Sequence, residues 1–158
     1  MTRLLLCIAS SYLLPLASAA AQTDSAAITT VVDKLFDGMR TRDTAAMRAL
    51  FVPEARMIGL TNQGTIRAST IDGWITSVGR ANPANELRER TWDHRIHVDG
   101  SIAQAWMQYD LHVGDRFSHC GVDAFDLMKV GGEWKIISVM DTRRTTGCSA
   151  PPPNRRAP

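Results

Sequence analysis

The sequence predicts an α+β domain in which N-terminal helices cover one face of a curved antiparallel sheet. Two patterns carry that prediction. Apolar residues recur with a helical period before residue 80, and from Glu89 onward they alternate with a period of two across three short Gly-containing turns. The length agrees: 158 residues suffice for one domain with a substantial core and are too few for two.

Residues 1–21 read as a secretory leader. Arg3 supplies the positive start, Leu4 to Leu16 the apolar run, and Ala17–Ala21 the small residues that signal cleavage, expected between Ala21 and Gln22. The run is shorter than the ~20 residues a membrane span needs, so no membrane association is expected after cleavage. The mature chain should then be periplasmic or secreted, with a domain at 22–148 and a Pro/Arg tail at 149–158 that has no apolar period. With Arg3, Arg155 and Arg156 set aside, 15 basic residues face 16 acidic ones, which offers nucleic acid no basic surface.

Ile28, Val31, Val32, Leu35, Phe36 and Met39 form one apolar stripe of a first helix, which Asp24 or Ser25 can cap. Asp43 opens a short second helix ended by Pro53. Ala55–Leu60 reads as a strand, and Ser69-Thr70-Ile71-Asp72 as a capping box for a third helix bearing Ile71, Trp74, Ile75 and Val78. Four strands follow at 89–98, 101–113, 116–130 and 133–144, joined at Asp99-Gly100, Gly114-Asp115 and Gly131-Gly132.

Pairing Val98 with Ser101, Val113 with Arg116 and Val130 with Glu133 sorts the side chains into two faces. Trp92, His94, Met107, Tyr109, Cys120, Val122, Met128 and Asp141 fall on an apolar face. His119, Asp123, Phe125, Leu127, Trp134 and Ile136 fall on a mostly polar one. The four hydrophobic residues in that second group are misplaced. Either a bulge flips the last hairpin, bringing His119, Asp123, Ser138 and Met140 inside, or a partner or the tail covers the outer face.

The helix pair Val31-Val32-Asp33-Lys34-Leu35-Phe36 and Asp43–Met47 with Leu50-Phe51 and Pro53-Glu54-Ala55, together with the turn Gly131-Gly132-Glu133-Trp134-Lys135-Ile136, resembles the nuclear transport factor 2-like superfamily. Its SnoaL-like, ketosteroid-isomerase-type members are the nearest match, over about residues 25–148. The resemblance implies a cone: three helices against a curled sheet, with a cavity between them. Such folds host isomerases, dehydratases, cyclases and plain binding proteins, often as homodimers, so the fold does not name the chemistry. Ketosteroid isomerases place a carboxylate base at the end of the first strand, where this chain has Met57-Ile58-Gly59-Leu60.

Three readings follow. The first is an exported domain that binds a small apolar or aromatic ligand between the Ile71–Val78 helix and the sheet, lined by Trp74, Trp92, Met107, Cys120, Val122 and Met128. The second is a cofactor-independent isomerase, dehydratase or cyclase, with His94 as base, Asp141 as its orienter and Tyr109 as oxyanion donor. In a flat sheet about 14 Å separates the rows of His94 and Asp141, so curling must bring them together. The alternative for His94 is a core histidine bonded to one carbonyl, and for Tyr109 simple packing. The third is a module that pairs through the outer face with Phe125, Trp134 and Ile136.

Cys7 leaves with the leader, so Cys120 and Cys148 remain as a disulfide candidate or as two separate buried thiols. The former requires the chain to turn back near Thr146-Gly147. The four histidines and the cysteines show no zinc spacing, so no metal is expected. No phosphate or dinucleotide fingerprint is present either.

Overall fold

The computed structural model describes residues 16–61 and 63–152. Residues 1–15, which hold the leader's positive start and nearly all of its apolar run, and residues 153–158 lie outside them. Among the described residues the order is α1 (Leu16–Thr41), α2 (Thr44–Ala49), β1 (Phe51–Leu60), β2 (Ile66–Thr70), α3 (Ile71–Gly79), β3 (Leu87–Asp99), β4 (Ile102–Val113), β5 (Arg116–Val130) and β6 (Glu133–Thr142). The α+β prediction holds: three helices pack on one face of a curved six-stranded sheet ordered β2-β1-β6-β5-β4-β3. All neighbours are antiparallel except β1 and β6. No helix among the described residues is long and apolar enough to cross a membrane.

Local chemistry explains the helix starts. Asp43 caps α2, accepting from the Ala46 N–H at 2.9 Å. Thr70 caps α3, accepting from Gly73 at 3.1 Å, one residue later than the Ser69 box would have it. Asp24 does not cap α1. Its carboxylate accepts from Lys129 Nζ at 2.6 Å and Trp134 Nε1 at 3.0 Å, clasping the helix to β5 and β6. The short strand β2 carries too few apolar residues to declare itself, and β1 starts at Phe51 with Pro53 inside it, where its pairing to β6 is irregular.

Bulges settle which residues face the helices. The β3–β4 ladder slips between Trp92 and Arg95, where Asp93 takes a positive φ of 54°. The β4–β5 ladder slips at Ser118, pairing Leu111 with His119 but His112 with Phe117. The β5–β6 ladder slips again at Ile137. The Ser118 bulge brings His119, Asp123, Phe125 and Leu127 inward. The Ile137 bulge lets Trp134 and Ile136 face in on one side and Val139 and Asp141 on the other. Ser138 and Met140 therefore stay outside, with Met140 46% exposed.

Phe125, Trp134 and Ile136 are core residues at 2%, 5% and 0% exposure, which corrects their expected role as outer contacts. The first hairpin turns at Gly100-Ser101, one residue later than expected, which moves the register by two and leaves the faces unchanged near the turn.

Cys120 and Cys148 form a disulfide, with Cα atoms 5.9 Å apart. Gly147 adopts φ 67°, the left-handed conformation that lets the chain fold back, and Cys120 and Arg144 exchange both backbone hydrogen bonds at 2.9 Å. In a chain-entropy view, closing this 28-residue separation contributes about 3–4 kcal/mol. Next to it, Gly121 has no room for a side chain. A Cβ there would lie 1.7 Å from the Thr142 carbonyl oxygen and 2.8 Å from the Tyr109 ring.

Gly121→Ala should therefore cost about 3 kcal/mol or more in urea unfolding, because the obstructing atom belongs to the backbone and cannot swing away. Gly100→Ala, with open space around it but φ 57°, should lose only ~1–2 kcal/mol.

Candidate functional site

A cavity of about 200 Å³ lies between α1, α3 and the inner sheet face. Its helix-side wall is apolar, from Phe36 and Met39 on α1 and Trp74 and Val78 on α3. Leu87, Leu111, Phe125 and Val139 continue this wall across the sheet. Trp74 is held edge-on against Phe51 at 6.3 Å between ring centroids. The cavity continues into a cleft of about 240 Å³ beside β2 and α3, which shares Arg67, Trp74, Ser77, Asp141 and Arg143.

Opposite the aromatic wall the sheet presents carboxylates. Glu89 comes from β3, Asp123 from β5 and Asp141 from β6, all at 9% exposure or less. They converge because the bulges turn these positions inward, and Asp123 and Asp141 are direct register partners. Burial is the main force on their protons. It raises the Glu89 carboxyl to about 7, with the Asp141 charge adding to the effect. It also pushes Asp123 well above the carboxylate range, helped by the neighbouring Glu89 charge. The two carboxyls thus act on each other's protons across β3 and β5.

Arg143 Nε donates to Asp141 Oδ2. Asp141 Oδ1 lies over Gly59, where any Cβ would come within 2.4 Å of it. That glycine in Met57-Ile58-Gly59-Leu60 is thus what lets a carboxylate from β6 reach across β1. His119 faces the cavity with its ring edge-on to Tyr109 at 5.7 Å. Burial and the nearby Arg143 lower it to about 4, so it is neutral at neutral pH.

The expected site residues are only partly brought together. Trp74, Tyr109 and Asp141 line the cavity. Tyr109 donates its hydroxyl proton to the Thr142 carbonyl at 3.0 Å, so that donor is engaged within the fold. His94 sits half-buried in the β3 bulge, its Nε2 2.9 Å from the Thr91 hydroxyl, and does not line the cavity with Asp141.

Four of the expected pocket residues lie elsewhere because of the bulges. Trp92 pairs with Gln108 on the face away from Met107 and Tyr109, Cys120 is in the disulfide, Met128 is 40% exposed, and Val122 bonds Thr142 Oγ1 through its N–H. Met107 is inward and fully buried, packed in the core beside the cavity rather than lining it. Among the described residues no three His, Cys, Asp or Glu side chains form a metal set.

Sequence reasoning missed Glu89, Arg67 and Arg143 as site residues, and reached Asp123 and His119 only through the bulge alternative. The available signal was the misplaced Phe125 and Leu127: any slip that buries them also turns Asp123 and His119 inward.

The carboxyl pair makes stability pH-dependent. Glu89 has a usual value of 4.5 and titrates near 7 when folded, so between these values the folded chain binds more protons than the unfolded one. Stability therefore falls as pH rises across that window. Urea midpoints should decline from about pH 4.5 to 7, and Glu89→Gln should flatten the decline and gain ~1–3 kcal/mol at pH 8 by removing a buried charge.

Comparisons with known proteins agree with this architecture. The family model described as "putative lumazine-binding" matches residues 23–140. Among solved structures, a nuclear transport factor 2-like protein of unknown function from Shewanella baltica is 22% identical with a TM-score of 0.66, over 79% of this chain and 97% of that one. A nuclear transport factor 2-like protein with a cystatin-like fold from Novosphingobium aromaticivorans is 11% identical with a TM-score of 0.67, over 86% and 94%. A protein from Streptomyces avermitilis described as a "putative dehydratase" of the nuclear transport factor 2-like family is 14% identical with a TM-score of 0.62, over 80% and 99%. At these identities the likeness is one of fold. No curated protein matches the chain.

Proposed function

The chain belongs to the family described as "putative lumazine-binding", and on that premise we propose that it binds a small, largely aromatic molecule in the cavity between α3 and the inner sheet face. The observation that carries this reading is the two-sided lining: Phe36, Trp74 and Phe125 supply flat apolar surface, and the buried carboxyls opposite supply hydrogen-bonding groups. A site of this kind holds a ring by burial and orients it by a few polar contacts. The family description makes a lumazine, a flat bicycle with N–H and carbonyl edges, one ligand to try first. Even with its continuation beside β2, the space lies at the low end of the ~300–1,000 Å³ usual for drug-sized molecules, which favours a compact ring.

Export completes the proposal. It is supported by the Arg3 to Ala21 leader pattern and by a disulfide of the kind that persists in oxidising compartments. The Asp24 clasp lies downstream of the expected cut. A homodimer through the outer sheet face is part of the same proposal. With Phe125, Trp134 and Ile136 in the core, its contacts would be Trp106, Met128, Met140 and Ile102, exposed by 40% to 55%.

Native mass spectrometry of protein recovered from the periplasm of its host tests these points together. It should find a chain starting at Gln22, two copies per particle and a bound small molecule. Ser77→Phe, which fills the cavity mouth from an exposed helix position, should lose the ligand while keeping the fold, and Trp106→Asp should give monomers. A full-length empty monomer would overturn the proposal.

One observation favours a second reading, proton-transfer catalysis. Glu89 titrates near neutrality inside a cavity, beside Asp123, whose carboxyl burial also raises, which is how an acid–base pair is poised. In this reading Glu89 takes the base role that the sequence suggested for His94, and Asp141 stays in the site. The structural likeness to a protein described as a "putative dehydratase" is compatible with it. On a substrate that enters the cavity, kcat/KM should rise through about pH 7, and Glu89→Gln should lower it ~10²–10⁴-fold without loss of stability. Unchanged turnover in that variant would remove the reading.

A further inference from the structure

The binding reading leaves two atoms unexplained. Asp123 Oδ2 and Asp141 Oδ1 are buried and lack a hydrogen-bond donor, on side chains only 5% and 9% exposed that line the same cavity from adjacent strands. An acceptor left without a donor in a low-dielectric site is costly, and more so when it carries charge. Arg143 satisfies Asp141 at its other oxygen only.

The charge around these atoms is unbalanced. Three carboxyls face the space, Glu89 from β3, Asp123 from β5 and Asp141 from β6, against the two guanidinium groups of Arg67 on β2 and Arg143 just after β6. Tyr109 of β4 and His119 of β5 are neutral there. The lining residues of α1 and α3 bring aromatic, aliphatic and hydroxyl groups and no charge.

We propose that the cavity selects a small aromatic cation bearing at least two N–H donors, an amidinium or a protonated amino-heterocycle, with its N–H groups on Asp123 and Asp141 and its ring against Phe36, Trp74 and Phe125. The proposal rests on the small-molecule reading above and gives it a ligand class. An N–H pair matches two carboxylates on neighbouring strands better than a single donor does. Fully ionised, the five facing groups carry one net negative charge, which the added positive charge neutralises. Until a cation arrives, a proton on the Glu89 and Asp123 carboxyls, which their burial favours, does that work. Cation and proton therefore compete, so binding should release a proton and strengthen as pH rises.

The test is calorimetric titration of the mature protein with benzamidine, benzamide and benzoate, which share a ring and differ in charge, at pH 5.5 and pH 8 and in two buffers of different ionisation enthalpy. Benzamidine should bind at least tenfold tighter than benzamide at pH 8, lose about tenfold at pH 5.5, and release close to one proton at the lower pH. Asp123→Asn and Asp141→Asn should each cut benzamidine affinity about tenfold and leave benzamide within threefold. The wild-type pH comparison decides the matter even if a variant fails to fold. If benzamide or benzoate binds as tightly as benzamidine, or benzamidine ignores pH, the cation preference is wrong and the small-molecule cavity stands. If none of the three binds wild type while Trp74 and Ser77 amide resonances stay unmoved, both readings fall.

Discussion

The period of two in a β-strand is unforgiving: one extra residue exchanges every side chain between the two faces. The long strands β3, β5 and β6 each absorb such a residue, near Asp93, Ser118 and Ile137. Each slip keeps hydrophobic residues toward the helices as the sheet curls and changes which polar residues travel inward with them. The apolar end of the cone and the acid cluster at its cavity are two results of the same geometry. Phe125 and Leu127 cannot be buried by the Ser118 slip unless Asp123 and His119 turn in beside them.

The acid cluster is held by close backbone approach. Gly59 lets Asp141 lie across β1, and Gly121 lets Tyr109 reach over β5 to the Thr142 carbonyl. The Cys120–Cys148 bridge and the Cys120–Arg144 backbone pair fix the chain just beyond Thr142, behind the residues that face the cavity. The structural elements around the carboxyls are thus rigid on the sheet side. The opposite wall is built from α1 and α3, and α1 is itself clasped by Asp24 to Lys129 and Trp134. A site so constrained can keep carboxyls at unfavourable proton affinities, because the surrounding structure over-determines where they lie.

Much of the fold was legible from local signals. The stripe from Ile28 to Met39, the caps near Asp43 and Thr70, and the three glycine turns after Asp99 each act over a few residues, and the elements they foretell are present, although α1 begins at Leu16, well before Asp24 or Ser25, and α2 ends at Ala49, before Pro53. Strand β2 was not legible, since Ile66–Thr70 is exposed throughout and has no apolar alternation. The candidate site was legible only in fragments. Trp74, Tyr109 and Asp141 were placed in the cavity by pattern alone, whereas Trp92, Cys120, Val122 and Met128 were assigned to it by a register that ran straight through the bulges.

The sequence by itself determined the class of fold, the existence of an inner apolar face and the pair of cysteines available to one another, because periodicity, turn chemistry and residue count are local properties. Only the tertiary structure decided which carboxyls meet. Bulge positions depend on how the whole sheet curls around α1 and α3. The proton affinities of Glu89 and Asp123 depend on burial and on each other's charge across strands more than thirty residues apart.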